Sequence, residues 1–181
     1  MKSGEELSIY EIEKLDAGSD FKLALSRSLN YGNVYLVGPP GSGKTTLLRK
    51  LGISLSRAGR AGLYIKLEWV KYGWGLEDYV EKYGDKNMEF IEAPASLDTR
   101  LVLLDDGELL WSYPSAYRKL IEDIKGRQIL AAFREIDVDT TAVVLGDGLF
   151  IYLQQVFTKN SYLKTPLGFN FVGKTVEVVV I

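Results

Sequence analysis

The sequence predicts an α/β fold: a three-layer sandwich with helices on both faces of a mainly parallel central sheet. Three observations carry this. A glycine-rich octet, GPPGSGKT from Gly38 to Thr45, sits between an apolar strand and an amphipathic helix. Two unbroken apolar runs, RLVLLDD (Arg100 to Asp106) and QILAAF (Gln128 to Phe133), read as strands covered on both faces, the pattern of parallel sheets. Between them SAYRKLIEDIKG reads as a crossover helix, and strand–helix–strand is the repeating unit of such a sheet.

In chain order, residues 1–19 are polar apart from a short apolar patch, Leu7 to Tyr10. SDFKLALSRSLNYG predicts a short amphipathic helix. Ser19 or Asp20 can cap it, Phe21, Leu25 and Leu29 share a face, and Gly32 ends it. NVYLV, Asn33 to Val37, reads as a buried strand. TTLLRKLGISLSRAG follows as a helix with Leu47, Leu48, Leu51 and Leu55 as its buried stripe and Gly59 as its stop. Leu63, Ile65, Leu67 and Trp69 alternate with Tyr64, Lys66 and Glu68, which predicts a strand with one wet face near a sheet edge. TAVVL, Thr141 to Leu145, fits either a short helix or the first arm of a hairpin. LFIYL, Leu149 to Leu153, is a further strand, and the β-branched tail KTVEVVVI predicts another.

The composition narrows the chemistry. The chain has 181 residues, 46% hydrophobic and 25% charged, enough for one domain with a sizeable core. No apolar run is long enough to span a membrane and no signal-peptide pattern is present, so a soluble, cytoplasmic protein is expected. There is no cysteine and no histidine. Thiol catalysis, thiolate metal sites and the commonest general base are therefore excluded. Chemistry must come from carboxylates, Lys, Arg, backbone dipoles and a bound ion. A net charge of −2 gives no support to a generic polyanion binder. The charge is uneven: Lys44 to Lys71 holds seven basic residues and one acid, and Glu77 to Glu108 holds ten acids and three basic residues. A solvated helix face explains the basic block most simply, and the cover of an insertion fits the acidic block.

The octet fits the phosphate-loop pattern G-x-x-x-x-G-K-[ST]. Gly38, Gly41 and Gly43 permit backbone angles and close approach that a Cβ would forbid. The amides of Gly41, Ser42, Gly43, Lys44, Thr45 and Thr46 then converge on phosphate oxygens at a helix N-terminus. Pro39 and Pro40 stiffen the loop. Lys44 would set its ammonium between the β- and γ-phosphates, and the Thr45 hydroxyl would ligate Mg²⁺. A second motif, LVLLDD, ends an apolar strand in two acids, 61 residues beyond Lys44 at Asp105. Asp105 is placed to hold Mg²⁺ through water, opposite Thr45. Asp106 is placed to orient an attacking water.

Together these residues resemble the additional-strand class of P-loop NTPases, which includes AAA+ proteins and RecA-like motors. The resemblance spans roughly Leu29 to Leu153. It implies that QILAAFRE lies between the phosphate-loop strand and the LVLLDD strand, with Arg134 or Glu135 at the sensor position, and that the strand from Leu63 is the edge. The class usually has Asn, Thr or Ser at the sensor and Glu at the position of Asp106, so Glu108 is the alternative to Asp106. It also implies that the N-terminal segment around Ile9 and Tyr10 approaches the adenine. No helical lid follows Leu153, no [NT]-K-x-D motif specifies guanine, and no Leu-Ser-Gly-Gly signature is present.

Trp69 to Gly84, WVKYGWGLEDYVEKYG, interleaves aromatics with lysines and reads as an aromatic loop. Three readings stand: packing over the sheet edge, docking of a protein, or stacking on single-stranded nucleic acid. Trp111 and Tyr113 share these alternatives. Arg100, Arg118, Arg127 and Arg134 are candidates for an arginine finger supplied by another subunit; Arg49 lies further down the phosphate-loop helix. Residues 1–181 are read as one domain, a nucleotide-binding core at about 29–153 and a β-rich extension at 154–181. The expected function is Mg²⁺-dependent ATP hydrolysis by Lys44, Asp105 and Asp106, within a homo-oligomer or larger assembly acting on a macromolecule. The alternatives are a non-catalytic nucleotide switch and a small-molecule kinase, for which RKLIEDIKGR is the only lid-like segment.

Overall fold

The computed structural model describes residues 19–91, 97–155 and 174–180. Helix α1 (Ser19–Leu29) precedes strand β1 (Asn33–Val37) and helix α2 (Lys44–Arg57). Strand β2 (Gly62–Lys66) runs into a 3₁₀ turn (Leu67–Trp69) and helix α3 (Leu76–Ile91). Then come β3 (Leu101–Asp105), α4 (Leu109–Ser112), α5 (Pro114–Ile124), β4 (Gln128–Phe133), α6 (Val138–Leu145), β5 (Gly148–Gln155) and β6 (Lys174–Val180).

All six strands form one sheet in the order β2-β3-β4-β1-β5-β6. The first five are parallel and β6 is antiparallel to β5. β4 lies between β1 and β3, with Leu130 opposite Val34 and Leu103, as the additional-strand pattern requires. Successive strand residues face opposite sides, so each strand feeds two cores. Val34 and Leu36 join Leu47, Leu48, Leu51 and Leu55 of α2 and Phe21 and Ala24 of α1. Tyr35 and Val37 face the other side, with Tyr117, Leu120 and Ile124 of α5 and Leu145 of α6. The α2 stripe is as the spacing predicts, and each buried leucine there contributes about 1.5–3 kcal/mol.

Several elements differ from expectation. The strand predicted over 63–69 ends at Lys66 and has no wet face. Tyr64 is buried because helix α3 covers it, with the Phe90 ring 5.1 Å away. The aromatic loop predicted over 69–84 is for the most part helix α3, whose amphipathic stripe continues through Gly84 to Phe90 and Ile91. This helix wraps the β2 edge: Leu76 and Tyr79 enter one core, Phe90 and Ile91 the other. Its side chains also reach the backbone of β2. The Tyr64 amide donates to the Asn87 side-chain oxygen, and the Lys66 amide donates to the Tyr79 hydroxyl at 3.1 Å. Trp69, Trp74 and Tyr79 each pack against Tyr83, at 5.3, 6.1 and 5.4 Å between ring centroids. Inward packing over the edge is thus seen for Trp69, Trp74, Tyr79 and Tyr83, while Tyr72 is 77% exposed.

At the end of α1, Tyr31 takes the left-handed position (φ 62°) and Gly32 follows it, while Leu29 is 40% exposed and Ala24 and Ser28 supply the buried face. TAVVL is helical: Asp137 caps α6, its side chain accepting from the Thr140 amide at 3.0 Å. The patch at Leu7 to Tyr10 lies outside the described residues, as does most of the extension from 154. No described helix is long and apolar enough to cross a membrane.

Candidate functional site

Strand β1 delivers the glycine-rich loop and α2 carries it away. Gly38 leaves the sheet with its amide on the Phe133 carbonyl at 3.1 Å, so the loop starts from a fixed point on β4. Gly38 is buried, and a Cβ there would overlap the Leu153 carbonyl and come within 2.8 Å of Ser42 Oγ. Gly41 and Gly43 are left-handed, at φ 77° and 88°, which turns successive amides to one side. Among the described residues helix α2 has no side-chain cap and no acid in its first turn, which leaves its N-terminal amides and dipole suited to an anion. Pro39, Pro40 and Gly41 are exposed, Thr46 is half-buried, and Ser42 Oγ is buried without a hydrogen-bond partner among the described residues. Lys44 Nζ reaches back over the loop to the Pro39 carbonyl at 2.9 Å. Partial burial holds its pKa below the ordinary lysine value, against the opposing pull first of Glu108 and then of Asp105.

The ends of the two motifs lie side by side. Thr45 Oγ1 donates to Asp105 Oδ1 at 3.2 Å, joining the loop to the end of β3. Asp105 is 3% exposed, and its Oδ1 also accepts the Asp106 amide at 3.0 Å. No group of three or more acidic side chains forms a metal cage among the described residues. Mg²⁺ is commonly held by one or two carboxylates together with phosphate oxygens. A threonine hydroxyl and a carboxylate oxygen beside an anion-binding loop therefore fit Mg²⁺.

Asp106 sits at φ 58°, an uncommon backbone region for any residue but glycine and one that marks local strain. Its Oδ2 is buried without a partner among the described residues. Burial, then the negative charge of Asp105, pushes its pKa up to about 6. Glu108 is also brought to the site. It pairs with Arg134 Nε at 3.3 Å and accepts the Arg134 amide at 3.0 Å, so the residue that follows β4 answers an acid on the neighbouring loop. Gly107 makes this turn possible: its amide meets the Ala132 carbonyl at 2.7 Å, and a Cβ would strike the Phe133 ring.

The remaining arginines part company. Arg134 stands close enough to act on the charge of Lys44, so one candidate finger belongs to the chain's own site. Arg127 is spent on backbone carbonyls, those of Leu97 (2.8 Å), Thr99 and Asp123 (3.2 Å), at the start of β4. Arg100 precedes β3, and Arg118 lies exposed on α5. The segment suggested as a lid is α5 itself, packed on the sheet by Tyr117, Leu120 and Ile124. Trp111 stacks on Phe133 with rings 2° from parallel, while Tyr113 is 61% exposed. Ile9 and Tyr10 lie outside the described residues.

Two functional neighbours are not apparent in the sequence. Tyr64, assigned there to a wet face, donates its hydroxyl to Asp105 Oδ2 at 2.7 Å. Arg49 is 2% exposed, with its guanidinium 4.1 Å from the Phe90 ring centre and 5.9 Å from that of Tyr64. The signal for Tyr64 was its place in a strand adjoining LVLLDD; the signal for Arg49 was a helix position next to the buried Leu48.

No family model matches the chain, and no curated protein matches it. Among solved structures it is similar to AMPPCP-bound DnaA from Aquifex aeolicus, at 17% identity and a TM-score of 0.53, over 78% of this chain and 49% of that one. A replication initiator DnaA bound to AMPPCP and single-stranded DNA is matched at 18% identity and 0.52, over 78% and 48%. A DNA replication initiation factor is matched at 19% and 0.51, over 80% and 49%. The chain thus spans about half the length of the solved structures it matches. At these identities the likeness is one of fold. The chain shares with these structures an α/β fold built on a parallel central sheet, here with β4 between β1 and β3.

Proposed function

We propose that the chain is an ATPase domain that binds MgATP and hydrolyses it to ADP and phosphate, within an assembly acting on a macromolecule. The contact between Thr45 Oγ1 and Asp105 Oδ1 is the observation that carries this reading, because it brings the ends of both motifs to one place beside Lys44. Mg²⁺ held there by Thr45 and Asp105 would neutralise charge on the β- and γ-phosphates. The loop amides and the uncapped start of α2 bind and orient the phosphates. Lys44 exchanges the Pro39 carbonyl for phosphate oxygens. Asp106, with its proton affinity raised towards neutrality, polarises the water that attacks the γ-phosphorus in line. Arg134, held by Glu108, stands ready to meet charge growing on the γ-phosphate. Catalysis on this scheme is positioning and electrostatics.

The test is turnover with each nucleoside triphosphate, alone and with single-stranded DNA, RNA or peptide. One similar structure is bound to single-stranded DNA, so that polymer is the first to try. ATP turnover by the chain supports the reading, and stimulation by one polymer names the partner class. A second reading, a nucleotide-dependent switch without turnover, is favoured by the burial of Asp106 Oδ2. A change of mass with MgATP and no phosphate release selects it.

A further inference from the structure

Tyr64 stands on the edge strand, a whole motif away from the loop, yet it touches the carboxylate at the centre of the site. Its hydroxyl lies 2.7 Å from Asp105 Oδ2, and the residue is 1% exposed. A phenol is a neutral donor at ordinary working pH. Arg49 stands over the ring, its guanidinium 5.9 Å from the Tyr64 ring centre. A carboxylate oxygen only accepts, so the hydroxyl turns its proton to Asp105.

Asp105 is left with a division of labour between its oxygens. Oδ2 is taken by Tyr64, and Oδ1 faces Thr45 and the Asp106 amide. Rotation of the carboxylate would break the Tyr64 bond in a buried place where no water replaces it. Tyr64 is itself held on three sides. Its amide meets Asn87, its ring packs on Phe90 at 5.1 Å, and Arg49 lies over its ring at 5.9 Å. The hydroxyl is thus a rigid stop and not a mobile surface group.

From this geometry we infer that Tyr64, backed by Arg49, is a positioning residue that sets the Mg²⁺ affinity of the site by locking Asp105 with Oδ1 towards Thr45. The inference rests on the reading of Thr45 and Asp105 as the Mg²⁺ donors. Partners in the outer shell of a metal site commonly change metal affinity by about 10- to 100-fold.

The experiment compares the full chain with its Tyr64→Phe variant, which keeps the ring and loses the hydroxyl. Affinity for ATP is measured by titration calorimetry in EDTA and across a Mg²⁺ series, and repeated with Mn²⁺ followed by its spin resonance. Tyr64→Phe should leave the metal-free affinity unchanged and raise the half-saturating Mg²⁺ about tenfold. Tyr35→Phe is the control, because it removes a buried hydroxyl bonded at 2.6 Å to the Gly146 carbonyl, on the other face of the sheet. It should shift neither number. Should Tyr64→Phe fold poorly, Phe90→Leu, which loosens the Tyr64 ring while keeping its hydroxyl, should raise the same half-point by a smaller factor, and no shift there overturns the inference. An unchanged Mg²⁺ half-point in Tyr64→Phe, or an equal shift in Tyr35→Phe, overturns the inference while leaving the nucleotide site intact. Absence of any Mg²⁺ effect on ATP binding in the unaltered chain overturns the site reading itself, and this inference with it.

Discussion

Glu108 holds Arg134 at two points, its side chain and its backbone amide, and so clamps the end of β4 against the loop that follows β3. With both carboxylate oxygens engaged, Glu108 is badly placed to take a proton from water. Asp106, whose pKa stands near 6, keeps that role.

Asp106→Asn should therefore lower ATP turnover by about 10²- to 10⁴-fold with little change in MgATP affinity. Glu108→Gln keeps one acceptor for Arg134 and should cost about tenfold or less. Single-turnover phosphate release measures both. A severe loss in Glu108→Gln beside a normal Asp106→Asn reverses the assignment.

Lys44→Ala should weaken triphosphate binding by about 100-fold, the scale of hydrogen bonds between charged groups. Titration calorimetry with MgATP and MgADP reads this directly, with the larger loss expected for the triphosphate.

Asp106 also gives the fold a pH dependence. Its folded pKa, about 6, lies above the ordinary value of 3.8, so the folded state binds the proton more tightly. Its contribution to stability is complete below the unfolded value and is lost as pH rises through about 6. Asp106→Asn should then melt at a higher temperature than the unaltered chain at pH 7.5, with the gap closing as pH falls towards 4.5. Melting curves in EDTA without nucleotide test this, and a gap that widens in acid contradicts it.

Gly38→Ala should destabilise the chain by about 2–4 kcal/mol, since the new methyl meets a backbone carbonyl that belongs to β5. Urea unfolding monitored by circular dichroism gives the difference. Gly59→Ala, in open space at φ 81°, carries only the backbone strain and should cost less.

Arg100, exposed before β3, and Arg118, exposed on α5, are the candidate fingers left for a neighbouring copy; Arg118 is taken first. Turnover per subunit should rise with protein concentration, and mixing Lys44→Ala with Arg118→Ala subunits should restore part of it. A rate that stays flat from nanomolar to high micromolar concentration speaks against a finger supplied in trans.

The sequence carried the frame well because its signals are local. An octet with fixed φ demands, two apolar strands and a crossover helix each declare themselves within a dozen residues, and the family resemblance supplied the place of β4 between β1 and β3. It carried the surroundings of Asp105 poorly. Tyr64 falls on the polar phase of an alternating strand, and only the wrap of α3 around the edge turns that phase inward. Helix α3 itself was masked by Gly73, Gly75 and Gly84, which read as loop punctuation. Gly73 does make a turn, at φ 76°, but Gly84 sits inside the helix, supported by packing at Phe90 and Ile91. Arg134 and Glu108 are 26 residues apart, and their pairing depends on the adjacency of β3 and β4.

The hold of α3 on the backbone of β2 bears on how copies of this chain can associate. An outermost strand normally offers its free amides as a template on which another chain can add a strand. Here the outward amides at Tyr64 and Lys66 are already answered by Asn87 and Tyr79. A second sheet could join this flank only by peeling away a helix that also seals both cores. Continuous sheets across a subunit boundary, and the fibrous aggregation that follows from them, are blocked on this side, so assembly along this flank must proceed by contact between side-chain surfaces.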